Sequence, residues 1–372
     1  MYEHGGDSYR YPGFTDFSAN INLLGAPQRA VERAREALDG ITRYPQVGCG
    51  RLRQAIAGLE QVKPQEIICG NGAAEVIFSL ALALKPRKAL VFAPTFQEYE
   101  QALKSVDCQV IREYLKPEQG FRITEHSLAP IDDTVDMVFV CNPNNPTGVL
   151  TEQNMLERLL ERCRQAGAVL VVDECFLDFV LPKQETPEQE TAGVSSRLLP
   201  GEDGAGCQAD SMKPFLNKSE HLFVVKAFTK TFGMPGLRLG YGLCGNSGIL
   251  EKMRAVTQPW NVSVPAQEAG IAAAGERAFL AETRKAVARE KAFLLEQLSA
   301  YAPELLQIYG HEANFIFFRS RKGLDQALEA HGIRIRNCSN FPGLEEGWYR
   351  IAVRSREENR ILTEALRKIL VP

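Results

Sequence analysis

Through the middle of the chain, short runs of apolar and β-branched residues alternate with stretches whose apolar positions recur every three or four residues. The runs KALVFAP (88–94), DMVFVCNP (136–143), AVLVVDE (168–174), LFVVKAF (222–228) and LRLGYGLCG (237–245) each predict a strand. Between them, AAEVIFSLALALK and TEQNMLERLLERCRQAG predict helices, the second with Thr151 as its amino-terminal cap and Gly167 as its stop. Strands that are apolar at nearly every position are covered on both faces, so the alternation predicts an α/β fold with a buried, mostly parallel sheet between helices. After Gly245 the texture changes to long helical stretches (AQEAGIAAAGERAFLAETRKAVAREKAFLLEQL), followed by the strand-like ANFIFFRS, IRIRNC and WYRIAVR. That pattern predicts a smaller α+β domain over 246–372, after a large domain over 26–245. The segment 183–219 is poor in apolar residues and rich in Gly, Pro, Glu and Gln, which predicts a polar surface excursion from the large domain.

Two domains also suit a chain of 372 residues, since single cores stop growing at about 250 to 300. With 43 basic against 46 acidic residues and a net charge of -3, the chain has no electrostatic footprint for nucleic acid or an anionic membrane. A small-molecule partner is expected instead. No apolar run reaches the roughly 18 to 20 residues that span a bilayer, and MYEHGGDSYRYPGF does not read as a signal peptide, so a cytoplasmic location is expected. The nine cysteines are scattered singly with no C-x-x-C pair. They read as reduced, largely buried thiols, and no metal site is expected.

Candidate chemistry enters with AFTKTFGMPGLRLGYG (227–242), where Lys230 and Arg238 stand in an otherwise apolar, small or glycine-rich stretch. Alone, Lys230 also fits a solvated loop lysine. A desolvated lysine, however, is a nucleophile toward aldehydes, and an arginine beyond the Gly-Met-Pro-Gly turn can hold a phosphate by two parallel hydrogen bonds. Together they describe the needs of pyridoxal phosphate. In CGNGAAEVIF a strand runs into Gly70, Asn71 and Gly72, so free N–H groups of a helix starting near Ala73 can face an anion. The same letters fit a plain helix-entry turn or a fragment of a dinucleotide-binding loop, although Glu75 stands where that loop needs its third glycine. CNPNNPTG (141–148) ends a strand with Asn145 between prolines, which is either a turn or a ligand-facing amide. Asp173 ends the strand of VVDECFLDF and suits either a helix cap or the partner of a pyridine nitrogen; Tyr99 in APTFQEYEQAL suits either core or a ring-stacking role.

In this order the motifs resemble the fold-type I pyridoxal phosphate enzymes, in the branch of the histidinol-phosphate aminotransferases and, more closely, the threonine-phosphate decarboxylases of cobalamin synthesis. The resemblance spans nearly all of the chain outside 183–219 and rests further on HGG (4–6), DFSANINLLG (16–25), DECFLDF (173–179) and IRNCSNFPGL (335–344). It implies a seven-stranded sheet in the large domain and pyridoxal 5'-phosphate as cofactor. It matches Lys230 to the lysine that bonds the cofactor aldehyde, Asp173 to the pyridine-nitrogen partner, Asn145 to the donor for the phenolate oxygen and Tyr99 to the stacking ring. Gly72, Ala73, Ala74, Thr229 and Arg238 fall where the cofactor phosphate is held. Tyr44 in TRYPQ matches a tyrosine that reaches the neighbouring subunit's phosphate, which implies a homodimer.

Arg336 and Arg350 match the arginines that grip the substrate's anionic end, with Gly5, Gly6 and Asn20 beside them. His4 lies on an amino-terminal arm, 1–25, that closes over the site. Two residues depart from the wider pattern: Ala227 replaces a Ser or Thr phosphate ligand, and Phe176 replaces an aminotransferase tyrosine. The second change fits the decarboxylases. The resemblance therefore implies decarboxylation of L-threonine O-3-phosphate to (R)-1-amino-2-propanol O-2-phosphate for the cobalamin nucleotide loop. Phosphoserine is the alternative substrate and histidinol-phosphate transamination the alternative reaction.

Overall fold

The computed structural model describes residues 4–181 and 211–371. The chain opens with β1 (Thr15–Asp16), α1 (Gln28–Glu36) and α2 (Gly50–Glu60). There follow β2 (Ile67–Gly70), α3 (Gly72–Leu84), β3 (Lys88–Ala93), α4 (Glu98–Lys104), β4 (Gln109–Tyr114), β5 (Met137–Cys141), α5 (Gln153–Ala166) and β6 (Val169–Asp173). Next, β7 (Leu222–Ala227) leads through the one-turn α6 (Phe228–Thr231) into β8 (Gly240–Leu243), then α7 (Ser247–Val256), α8 (Val264–Ala274) and the long α9 (Arg277–Leu298). The last part holds β9 (Leu306–Gly310), β10 (Phe315–Ser320), α10 (Leu324–Glu329), β11 (Ile333–Arg334), β12 (Arg336–Asn337), β13 (Trp348–Ala352) and α11 (Arg356–Leu370).

Seven strands form the large sheet in the order β2-β8-β7-β6-β5-β3-β4. All neighbours run parallel except at β8, which is antiparallel to both β2 and β7 because the chain returns from β7 by a short turn rather than a crossover helix. Alternate side chains feed two apolar layers. Val138, Val140, Leu170, Val172, Leu222 and Val224 face one, while Phe139, Val171, Phe223 and Val225 face the other. The continuous apolar runs of the sequence thus reflect burial on both faces. Helix α5 shows the matching helical period, burying Leu156, Leu159, Leu160 and Cys163. Gly167 ends it at φ 75°, but its amino-terminal cap position is Glu152, not Thr151, whose N–H is instead donated to Asn142 Oδ1 at 2.8 Å.

The strands missed by pattern are the two-residue β1 and the edge strands β4 and β9, the last two with half-exposed, partly polar faces. The second sheet, β12-β13-β10-β9, packs against α9, α10 and α11 around Phe318, Ile351 and Leu362. Helices α7 and α8 follow the expected boundary at residue 245, yet they bury Leu250, Met253, Ala266 and Ala269 with the layers of the large sheet. β1 pairs parallel with β11 in a separate two-stranded sheet, which ties the amino-terminal segment to the last part of the chain. No helix among the described residues is long and apolar enough to cross a membrane. The eight described cysteines are buried and unbridged.

The polar excursion expected at 183–219 lies outside the described residues as far as 210, and its final part is core. Met212 and Leu216 are fully buried in the layer under α5, and Ser211 and Met212 donate to Glu174 at 2.6 and 2.7 Å. Lys213 Nζ meets Glu60 at 2.6 Å. The apolar positions in SMKPFL carried this signal, diluted by the polar residues before them. Deleting 183–219 is therefore expected to cost soluble protein, since burial of Met212 and Leu216 alone is worth about 2 kcal/mol each. Replacing only 183–210 by a glycine linker should leave soluble yield and melting temperature close to the parent. Equal behaviour of the two deletions would contradict this.

Candidate active site

Ligands of open α/β sheets bind beyond the carboxyl ends of the parallel strands, and the predicted residues meet there. Asp173 ends β6, Asn145 follows β5, Phe96 and Tyr99 follow β3, and Lys230 sits in α6 directly after β7. The α6 turn is pinned from outside. The backbone carbonyl of Lys230 accepts from Asn22 N at 3.3 Å, and Asn22 Nδ2 donates to Thr231 O at 2.6 Å and to Thr283 Oγ1 at 2.8 Å. Burial, then the charges of Arg350 and Arg238, pushes the Lys230 amine down to about 8, so a far larger fraction of it is neutral at pH 7 than of an ordinary lysine.

Helix α3 begins without a side-chain cap at Asn71, which leaves the first N–H groups of Gly72, Ala73 and Ala74 available. Gly72 has φ 84°, and a Cβ there would lie 2.6 Å from Arg238 Nη2, so only glycine lets the arginine lie across the helix start. Thr229 is buried nearby in chain terms, in the same turn as Lys230. Gly72, Ala73, Ala74 and Arg238 could together hold a phosphate, with Thr229 in the turn that carries Lys230. Among the described site residues two buried polar atoms have no protein partner, Asn20 Oδ1 and Arg350 Nε. A lysine amine of depressed pKa, free N–H groups at a helix start beside an arginine, and orphaned polar atoms fit pyridoxal phosphate and an anionic substrate.

Asp173 is buried and accepts from Tyr99 Oη at 2.6 Å and from Cys175 N at 2.9 Å. Burial raises its pKa, opposed by those bonds and by Lys230. Tyr99 is fully buried, with its ring stacked on Phe139 at 4.9 Å. The half-buried aromatic beside it is Phe96, edge-on at 5.4 Å. Of the two rings, Phe96 keeps the exposed surface and Tyr99 has none. Phe176 lies with its ring centroid 6.0 Å from Lys230 Nζ and packs edge-on against Phe315.

Arg336 and Arg350 are directly opposed across the antiparallel β12–β13 pair, each only 6% exposed. Like charges so placed are destabilising unless something anionic balances them. Burial and Arg336 push Arg350 down to about 10. Arg350 donates to Asn145 Oδ1 and, at 2.8 Å, to the Ser18 carbonyl; Arg336 donates to the Asn337 carbonyl and, at 2.8 Å, to Asn340 Oδ1. Because Asn145 accepts from Arg350, its amide nitrogen is left to donate. The arm docks on the same Ser18: Gly6 N donates to Ser18 Oγ at 2.9 Å, and a Cβ on Gly5 would lie 2.2 Å from the Ser18 carbonyl oxygen. His4 Nδ1 lies 3.4 Å from Glu98 Oε1. Tyr44 is 79% exposed and stacks on Trp260 at 4.4 Å, with Leu38, Ile41 and Val47 also exposed in that stretch.

This site on this sheet defines a pyridoxal phosphate-dependent enzyme, and residues 12–366 match the aminotransferase class I and II family, to which the chain belongs. Its relatives include the threonine-phosphate decarboxylase of Salmonella typhimurium, 35% identical over 95% of this chain and 91% of that protein. Among solved structures, the histidinol-phosphate aminotransferase of Clostridium acetobutylicum superposes with a TM-score of 0.82 at 28% identity, covering 95% of this chain and 98% of that one. The L-threonine-O-3-phosphate decarboxylase of Porphyromonas gingivalis shares the fold, with a TM-score of 0.78 at 23% identity over 96% of this chain and 99% of that one.

Proposed function

We propose that the protein is a cytoplasmic, homodimeric decarboxylase that converts L-threonine O-3-phosphate to (R)-1-amino-2-propanol O-2-phosphate in cobalamin biosynthesis. The observation that carries this reading is the buried, directly opposed pair Arg336 and Arg350, whose two positive charges brought to one place suit a multiply charged anion such as a phosphate monoester. The Salmonella typhimurium relative named for this reaction supports it.

Pyridoxal phosphate supplies an aldehyde for the substrate amine and a ring that withdraws the electron pair of whichever α-carbon bond stands perpendicular to it. In our reading Gly72, Ala73, Ala74, Thr229 and Arg238 hold its phosphate, Asp173 its pyridine nitrogen and Asn145 its phenolate oxygen. Phe96 covers the ring, and Tyr99 acts from below by holding Asp173 in place. Arg336, Arg350, Asn20 and His4 bind the substrate phosphate. With both arginines engaged by the phosphate, neither would be left to restrain the α-carboxylate, which would be the group free to leave as carbon dioxide. Lys230 Nζ carries the proton that replaces the lost carboxylate. Phe176 contributes shape and a dry wall, with no phenol to compete for the phenolate oxygen. Tyr44, exposed on one protomer beside Trp260, completes the phosphate cradle of its partner.

A transaminase alternates between two cofactor forms and needs a keto acid, whereas a decarboxylase restores its cofactor in every cycle. Purified protein given L-threonine O-3-phosphate without keto acid is expected to release carbon dioxide over many turnovers, with the cofactor absorbance unchanged at the end. Activity on histidinol phosphate that requires 2-oxoglutarate, without carbon dioxide from phosphothreonine or phosphoserine, would establish the aminotransferase reading instead.

A further inference from the structure

Glu98 opens α4 with a half-buried side chain, 14% exposed, among cationic groups from three parts of the chain. Its carboxyl stands 3.4 Å from His4 Nδ1 on the arm; burial raises its pKa, and the charges of His4, Lys230 and Arg336 of β12 oppose that shift. The preceding residue reinforces the junction, because Gln97 Nε2 donates to the carbonyl of Asn340, the residue whose side chain accepts from Arg336. The next residue, Tyr99, is locked to Asp173 at 2.6 Å. The first turn of α4 is therefore rigid where it meets both the arm and the small-domain arginine.

We propose that Glu98 is a positioning residue for substrate binding: it holds His4 by Nδ1, leaves Nε2 for the substrate's anion, and so latches the amino-terminal arm closed. The proposal rests on the reading of His4 as a contact to the substrate phosphate. An imidazole that donates at both nitrogens can bridge a carboxylate and a phosphate, whereas a neutral ring with its acceptor nitrogen facing a phosphate would repel it. A carboxylate 3.4 Å behind the ring fixes its orientation, as outer carboxylates do for histidines in other sites. Among the described residues near the arm's tip, the hydrogen bond from Gly6 N to Ser18 Oγ docks the backbone but does not orient His4.

The test is a double-mutant cycle in the holoenzyme with Glu98→Ala, His4→Ala and the pair. The readouts are KM and kcat for L-threonine O-3-phosphate, and the affinity of inorganic phosphate by calorimetry. Glu98→Ala is expected to raise KM and weaken inorganic phosphate about tenfold, within the coupling range of directly contacting residues, with kcat changed by less than about twofold. The double variant should bind no worse than His4→Ala, and Glu98→Asp should recover part of the loss. Additive losses, unchanged KM and phosphate affinity, or loss of cofactor absorbance in Glu98→Ala would each overturn the proposal. Absence of carbon dioxide release by the parent enzyme would count against the proposed reaction alone, because the phosphate titrations still decide the role of Glu98.

Discussion

Lys230→Ala is expected to abolish turnover, by roughly 10^4-fold or more, the scale on which a lost nucleophile acts in other enzymes. Borohydride treatment of the parent holoenzyme should fix the cofactor to one lysine, and that adduct should disappear in the variant. The protein should remain folded, because Lys230 contributes to structure through its backbone carbonyl, which accepts from Asn22 N and Gly233 N, and not through its side chain. Cofactor should still bind through the cradle at Gly72 and Arg238, more weakly. A reducible lysine adduct that persists in Lys230→Ala would show that another lysine carries the chemistry.

A pH dependence follows from the same residue. The neutral amine attacks an aldehyde, and Lys230 is held at about 8 by burial and by Arg350 and Arg238. Capture of pyridoxal phosphate by apoprotein should accelerate from pH 7 through about 8 and then level off. An ordinary lysine, titrating near 10.5, would continue to accelerate above pH 9.

Lys226→Met is expected to cost about 3 to 5 kcal/mol of stability, the usual result of removing one partner from a buried ionic cluster. Lys226 lies on the strand that leads to Lys230 and is 1% exposed. Its Nζ meets Glu60 at 3.1 Å and Asp178 at 3.2 Å, while Glu60 also accepts from Tyr241 Oη at 2.5 Å. Methionine fills the volume but leaves those carboxylates under-compensated. Urea unfolding at pH 7 measures the loss, and the sign of its pH dependence is fixed. Burial pushes Glu60 up, but Lys226 and Lys213 outweigh it and hold the carboxyl at about 2 instead of 4.5. That depressed carboxylate stabilises the native state above pH 4.5, and the contribution fades as pH falls toward 2. The variant lacks the part of this contribution that Lys226 supplies and keeps the part from Lys213 and Tyr241, so the difference between the two proteins should narrow as pH is lowered through that window. A Lys226→Met protein as stable as the parent at pH 7 would show that the cluster is not coupled. The cluster lies behind the ends of β6 and β7, so a variant that folds should also bind cofactor less tightly.

What the sequence determined by itself is local in origin. Apolar runs such as VLVVD and LFVVKA specify strands because alternate side chains of each strand meet one of two apolar layers, and no other backbone hides both sets. The helical period of α5, the stop at Gly167 and the glycine turn before α3 are likewise readable, because each depends on residues within a turn or two of one another. The chemical types at strand ends were legible too: a lysine, an aspartate and an asparagine stand where ligands of such sheets bind.

What only the tertiary structure decided is which distant residues meet. Arg336 and Arg350 become a directly opposed pair through the register of β12 on β13, which no spacing along the chain reveals. Tyr99 and Phe96 are both aromatic in one short segment, and only the position of Asp173 shows that the tyrosine is buried beneath the site while Phe96 keeps an open surface. Glu98 reads as an ordinary helix-start acid until the arm brings His4 to it. Met212 and Leu216 look like the tail of a polar segment until they fill the layer under α5. In each case the partners are far apart in sequence, and the contact exists only because strand register, crossovers and domain packing bring the two segments to one place.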